Sequence, residues 1–142
     1  MGGSQSVEKN NKISFDDVKF LVKNKSGILI NTLKSNEQEC LIEGTIPIQT
    51  EEQLINKYLT GEKNINIIIY GKNCSDDSII KKYEQLYKLG FPNVYIYVGG
   101  IFEWLLLQDI YGDELFPTTT KELDILKYKC PQQFNILMLE AP

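Results

Sequence analysis

Residues 65–90 read INIIIYGKNCSDDSIIKKYEQLYKLG. The first six, Ile65 to Tyr70, are dense in β-branched side chains and apolar on both faces, the pattern of a central strand covered from both sides. Gly71 to Asp77 is polar and opens on glycine, which ends the strand. From Ser78 to Leu89 the period becomes helical. Ile79, Ile80, Tyr83, Leu86, Tyr87 and Leu89 fall on an inward face, with Lys81, Lys82, Glu84, Gln85 and Lys88 outward. Gly90 closes the helix. A buried strand followed by an amphipathic helix is half of a parallel crossover unit, so the next strand should run parallel to it.

The flanking sequence repeats that unit. Val94 to Val98 is a second buried strand, and Gly99-Gly100 turns the chain into a helix running from Ile101 towards Ile110. Upstream, Ser14 with Asp17 three residues later is a capping-box start. Phe15, Val18, Phe20, Leu21 and Val22 give the helix that follows its apolar face. Ser26-Gly27 breaks it, and Gly27 to Asn31 is a short buried strand. Residues 32–45 read as a loop, and Thr45-Ile46-Pro47-Ile48 as an extended piece at an edge or in a connection, because Pro47 has no N–H. Thr50-Glu51-Glu52-Gln53 is a second capping box, opening a helix that Gly61 ends.

This alternation predicts an α/β fold, a single three-layer domain with a central parallel sheet. Ile30, Ile68 and Ile96 should lie on adjacent strands. Residues 1–12 read as a flexible N-terminal arm, 13–112 as the domain and 113–142 as a C-terminal extension. In that extension Leu123, Ile125, Leu126 and Tyr128 suggest another helix, ended by Cys130-Pro131. Phe134 to Leu139 is an apolar tail that docks on the body or meets a partner.

Composition excludes more chemistry than it suggests. The chain has 142 residues, and all 15 of its Lys and Arg positions are lysine. With neither histidine nor arginine, it can build no Ser-His-Asp or Cys-His pair, no histidine-ligated metal site and no bidentate arginine grip on phosphate. A net charge of −4 with dispersed lysines argues against nucleic acid as a partner. No apolar run approaches the length of a membrane span, and residues 1–12 lack the apolar core of a signal peptide. Cys40, Cys74 and Cys130 are odd in number and without CxxC spacing. That suits a reducing cytosol and gives no structural zinc site. No phosphate loop, dinucleotide fingerprint or metal cluster is present, so no cofactor is expected.

The start, Met1-Gly2-Gly3-Ser4-Gln5-Ser6, fits the N-myristoylation pattern, with Gly2 as acceptor and Ser6 at the hydroxyl position. One myristoyl chain binds membranes weakly and reversibly. Lys9 and Lys12 make too small a basic patch to add a strong second anchor. The expected contact is therefore a weak one, at the cytosolic face of a membrane.

Chemistry is sought in the loop Gly71, Lys72, Asn73, Cys74, Ser75, Asp76, Asp77, because ligands of open parallel sheets bind beyond the carboxyl ends of the strands. Cys74 near a helix N-terminus is the candidate nucleophile, with the loop N–H groups as an anion cradle. Asp76 and Asp77 oppose both a thiolate and an anionic substrate. In the alternative reading Ser75, Asp76 and Asp77 cap the helix and Cys74 is an ordinary loop residue.

The strand 67–70, the loop, the 78–89 helix, Leu89-Gly90-Phe91, Asn93-Val94-Tyr95 and Gly99-Gly100-Ile101 with Trp104 resemble the second half of a rhodanese (sulfurtransferase) domain. Ile28 to Thr32 and Glu43 to Pro47 are similar to segments of its first half. The resemblance covers residue 13 to about residue 110. It implies a rhodanese-like fold and sulfur transfer through a loop cysteine. In the family that cysteine directly follows the strand. Here Gly71 stands there and Cys74 comes three residues later, although counted back from Gly90 it lies near the family position. Asp76 and Asp77 replace the basic residue that often ends the family's loop. Asn31-Thr32-Leu33 replaces its Asp-Val-Arg, which removes that salt bridge. The related phosphatases need an arginine in the loop, so phosphatase activity is not expected.

Two functions follow from these readings. One is a binding or regulatory module with little or no catalysis, its C-terminal extension being the candidate surface for a protein partner. The other is a sulfurtransferase carrying a persulfide on Cys74, with Cys40 either a resolving thiol that could reach the same rim or simply a surface or half-buried cysteine.

Overall fold

The computed structural model describes residues 11–134. Gly2, the first ten positions and the last eight, including most of the apolar tail, lie outside the described residues. Strands β1 (Lys12–Ile13), β2 (Gly27–Asn31), β3 (Asn66–Tyr70) and β4 (Val94–Tyr97) alternate with helices α1 (Phe15–Asn24), α2 (Ile48–Thr60), α3 (Ser78–Leu89) and α4 (Gly100–Tyr111). All pairings are parallel and the sheet order is β1-β4-β3-β2. Ile30, Ile69 and Ile96 lie in one row across β2, β3 and β4, and Ile68 lies between Leu29 and Tyr95 in the next.

Residue alternation sends each strand into two cores. Leu29, Ile68, Tyr70 and Tyr97 pack under α1 and α4 with Val18, Leu21, Ile101 and Trp104. Ile28, Ile30, Ile67, Ile69, Val94 and Ile96 pack under α2 and α3 with Ile55, Ile79, Tyr83 and Leu86. Because both faces of β3 are covered, its four-residue apolar run is buried throughout, as a doubly covered parallel strand requires.

Several boundaries differ from the sequence reading. Lys12, assigned to the arm, starts the edge strand β1, and Asn11 before it is tied to β4. The Asn11 carbonyl accepts from Ile96 N–H at 2.7 Å and its side-chain amide donates to Val94 at 2.7 Å. Two residues carry no periodicity, so nothing local marks them. The Ser14 capping box is present. The second is not: α2 begins at Ile48 behind an extended Pro47, and Thr50 bonds back to the Pro47 carbonyl. Glu51 is instead buried and ion-paired with Lys82 at 2.5 Å, which turns that lysine in towards α2. Ile80, Tyr87 and Leu89 face solvent on α3, and Phe20 does so on α1. The stripe that touches the sheet is narrower than the apolar stripe in the sequence.

Among its described residues the extension forms no helix beyond the short 3-10 turn Ile125–Tyr128. Its first part completes the core. Phe116 packs edge-on against Trp104, whose indole N–H donates to the Pro117 carbonyl at 3.1 Å. Buried Gln108 donates to the Phe116 carbonyl at 2.8 Å, and Thr118 bridges antiparallel to Ile42. The segment 112–120 is therefore a strap that pins the loop before α2 onto α4.

Candidate functional site

The loop from Gly71 to Asp77 leaves β3 at its carboxyl end, between β2 and β4, where the parallel fold puts ligand sites. Its first two residues are locked by α4. Ile101 N–H donates to the Gly71 carbonyl and Phe102 N–H to the Lys72 carbonyl, both at 3.0 Å. This approach requires glycine at position 100. Its φ is +67°, and a Cβ there would lie 2.6 Å from the Gly71 oxygen. The first-turn donors of α4 are thus spent on loop backbone.

The far end of the loop is occupied by its own carboxylate. Asp76 Oδ2 accepts Lys72 N–H at 2.9 Å, while Oδ1 accepts Ser78 N–H at 3.0 Å and the Ser78 hydroxyl at 2.6 Å. Partial burial works against ionisation of Asp76. The Ser78 hydroxyl, the two backbone N–H groups and the Lys72 charge outweigh it, holding the carboxyl below its ordinary pKa. Of the three residues expected to cap α3, Asp76 alone bonds its first turn. Asp77, at the cap position, makes no side-chain bond there, and the Ser75 hydroxyl points elsewhere.

Gly71 directly follows β3, and a side chain there would have to displace its neighbours. A Cβ there would stand 2.5 Å from Asp76 Oδ2 and 2.9 Å from both Ile79 Cγ1 and Thr32 Oγ1. Cys74 lies at the exposed rim. Lys72 is ion-paired with Glu37 at 2.9 Å, and Glu37 is held below its ordinary pKa by that lysine against the opposing effect of burial. The adjoining cleft, about 440 Å³, is lined by Lys34, Lys72 and Lys129 and by Glu37, Asp76 and Asp77. Three cations face three carboxylates, so the cleft offers no surplus charge to an anion.

Asn31, at the end of β2, is buried and satisfied within its own turn. Its Oδ1 accepts Leu33 N–H at 3.0 Å and the Gln38 side-chain amide at 2.8 Å.

Asn73 was expected only as a loop member, but it ties the extension to the loop. It is buried, its Oδ1 accepts Ser75 N–H at 2.9 Å, and its Nδ2 donates to the carbonyl of buried Tyr128 at 2.8 Å. That bond brings Cys130 to the rim. Cys130 Sγ lies 3.8 Å from Cys74 Sγ and 3.3 Å from the Ser75 hydroxyl. Cys40, expected to reach this rim as a resolving thiol or to be a surface or half-buried cysteine, is instead 2% exposed, with its thiol donating to the Thr120 carbonyl at 3.4 Å. Sequence reasoning missed Cys130 because its placement depends on the bond between Asn73 and Tyr128, 55 positions apart, which no local pattern announces. Among the described residues no group of three or more Cys, Asp or Glu could hold a metal ion.

The model of the rhodanese-like domain family matches residues 14–107. No curated protein matches the chain. Among solved structures, the BH2092 protein from Bacillus halodurans is similar over 84% of this chain and 90% of its own, at 18% identity and TM-score 0.56. A full-length protein from Lactobacillus plantarum is similar over 83% and 91%, at 15% identity and TM-score 0.57. The rhodanese-like domain from the Alr3790 protein of Anabaena sp. is similar over 89% and 91%, at 19% identity and TM-score 0.52. At these identities the structures speak for the fold, and the family match for descent: the chain belongs to the rhodanese-like domain family.

Proposed function

We propose that this rhodanese-like domain is a binding or regulatory module that does not turn over thiosulfate on the loop after β3. The observation that carries the reading is the Asp76 carboxylate. It is ionised and takes the N–H groups of Lys72 and Ser78, the donors an anionic sulfur donor would need. Gly71 supplies no thiol beneath it. Exposed Leu115, Leu123, Leu126 and Phe134 on the extension support that segment as the surface for a protein partner. The Gly2 pattern supports a weak, lipid-mediated contact with a cytosolic membrane face. A thiosulfate:cyanide assay on the full chain tests the central point. Thiocyanate release at the level of a buffer blank agrees with it, and turnover opposes it.

A second reading is favoured by the exposure of Cys74. In it the Cys74 thiolate attacks the outer sulfur of thiosulfate and sulfite leaves. Cyanide then removes that sulfur as thiocyanate and restores the thiolate. Loss of turnover in Cys74→Ser would identify this path.

A further inference from the structure

Two cysteines 56 positions apart in the chain bring their sulfurs to 3.8 Å, van der Waals contact. Neither position is accidental. Cys74 is on a loop whose ends are hydrogen-bonded to α4 and to the Asp76 carboxylate. Cys130 follows buried Tyr128, which buried Asn73 holds by its carbonyl.

We propose that Cys130 and Cys74 form a thiol–disulfide exchange site for low-molecular-weight disulfides, with Cys130 as the attacking thiol and Cys74 as the resolving one. The assignment of roles follows from what surrounds each sulfur. The Ser75 hydroxyl donates to Cys130 Sγ and is the main cause holding that thiol below its ordinary pKa. Slight burial works against this, and the Cys74 thiol and the Ser75 and Cys74 N–H groups add to it. Donors aimed at a sulfur favour its thiolate, the attacking form. Cys74 is exposed and already within reach of whatever forms on Cys130. Cys40 is buried on a carbonyl and takes no part.

The exchange balances. The Cys130 thiolate attacks one sulfur of a disulfide RSSR, forming a mixed disulfide and expelling RS⁻. Cys74 gives its proton to solvent and attacks Cys130 Sγ, and the second RS⁻ leaves. The two protein thiols are oxidised, and RSSR is reduced to two thiols. The sulfurs close from contact to the roughly 2.0 Å of a disulfide, with Cys74 on the exposed side of the pair. The new bond fastens the extension across the loop.

The probe is oxidised glutathione, added to the fully reduced full-length protein and followed by intact mass and peptide mapping. The wild type should lose two hydrogens and yield a Cys74–Cys130 crosslinked peptide with Cys40 free. Cys74→Ser should stop as a glutathione adduct on Cys130. Cys130→Ser should form its adduct on Cys74 several-fold more slowly than Cys74→Ser forms its own. Ser75→Ala should slow adduct formation on Cys130 in the Cys74→Ser background and leave the far-UV spectrum unchanged. Absence of the crosslink in the wild type overturns the proposal, as does an adduct that forms faster on Cys74 than on Cys130. Thiosulfate turnover by the same sample would overturn the functional reading above and leave this pair untouched, so the two can fail separately.

Discussion

The Asp76 carboxylate fills the space above Gly71, with Oδ2 only 2.5 Å from where a Cβ on that glycine would stand. The two residues are complementary. Absence of a side chain at 71 lets the carboxylate turn in, and the carboxylate satisfies the Lys72 and Ser78 N–H groups. Gly71→Cys alone should therefore destabilise the domain by about 1–3 kcal/mol, the cost of overpacking. Pairing it with Asp76→Ala should recover part of that loss. Urea unfolding of the single and double variants measures the difference, and additive effects would mean that the two side chains do not compete.

Asp76 also sets an acid limb. Its folded pKa lies below the ordinary carboxylate value, so its contribution is fully present above the unfolded pKa and is lost as pH falls through the folded one. Asp76→Asn should flatten the fall of melting temperature on that acid side. Asp76→Ala should cost about 0.5–2 kcal/mol near neutrality, in the range of a lost helix cap. An unchanged acid limb in Asp76→Asn would show that the carboxylate is not ionised in the loop.

The coupling between loop and extension rests on Asn73. Asn73→Ala leaves the Tyr128 carbonyl and Ser75 N–H without this partner. A loss of about 1–3 kcal/mol is expected. The Cys74–Cys130 crosslink with oxidised glutathione should also form more slowly. Crosslinking at the wild-type rate would show that Tyr128 is held by packing alone.

Ile68, 3% exposed between Leu29 and Tyr95, tests the sheet. Ile68→Ala should cost about 2–5 kcal/mol. A loss under about 1 kcal/mol in chemical denaturation would place the residue outside a close-packed core.

At the start of the chain, Gly2→Ala should abolish incorporation of a myristate analogue in a eukaryotic translation extract. The wild type should take up the label and wash readily from vesicles, since one such chain binds with only about 10⁴ M⁻¹. Absence of label in the wild type would remove the lipid.

The sheet was legible because its signal is local. The isoleucines of 67–69 and the alternation of 94–97 carry their period in consecutive residues, and short crossovers then fix parallel order. The failures share a cause. Lys12–Ile13 is too short to show a period. Ile80 and Leu89 extend an apolar stripe that the sheet does not reach. At the site, Cys74 and Asp76 were both visible in the sequence, but the direction Asp76 faces was not. That direction depends on Gly71 lacking a side chain and on Ser78 supplying two donors. Cys130 was invisible as a site residue because Asn73 and Tyr128, which bring it there, are 55 positions apart.

The central claim, that Asp76 closes this loop to an anionic sulfur donor, is tested most directly by the intact mass of the reduced full-length protein after incubation with thiosulfate. The account predicts no added sulfur on the wild type, with Cys74 and Cys130 recovered as thiols or as their mutual disulfide. A wild-type protein gaining the mass of one sulfur atom, mapped to Cys74 and removed by cyanide, would contradict it.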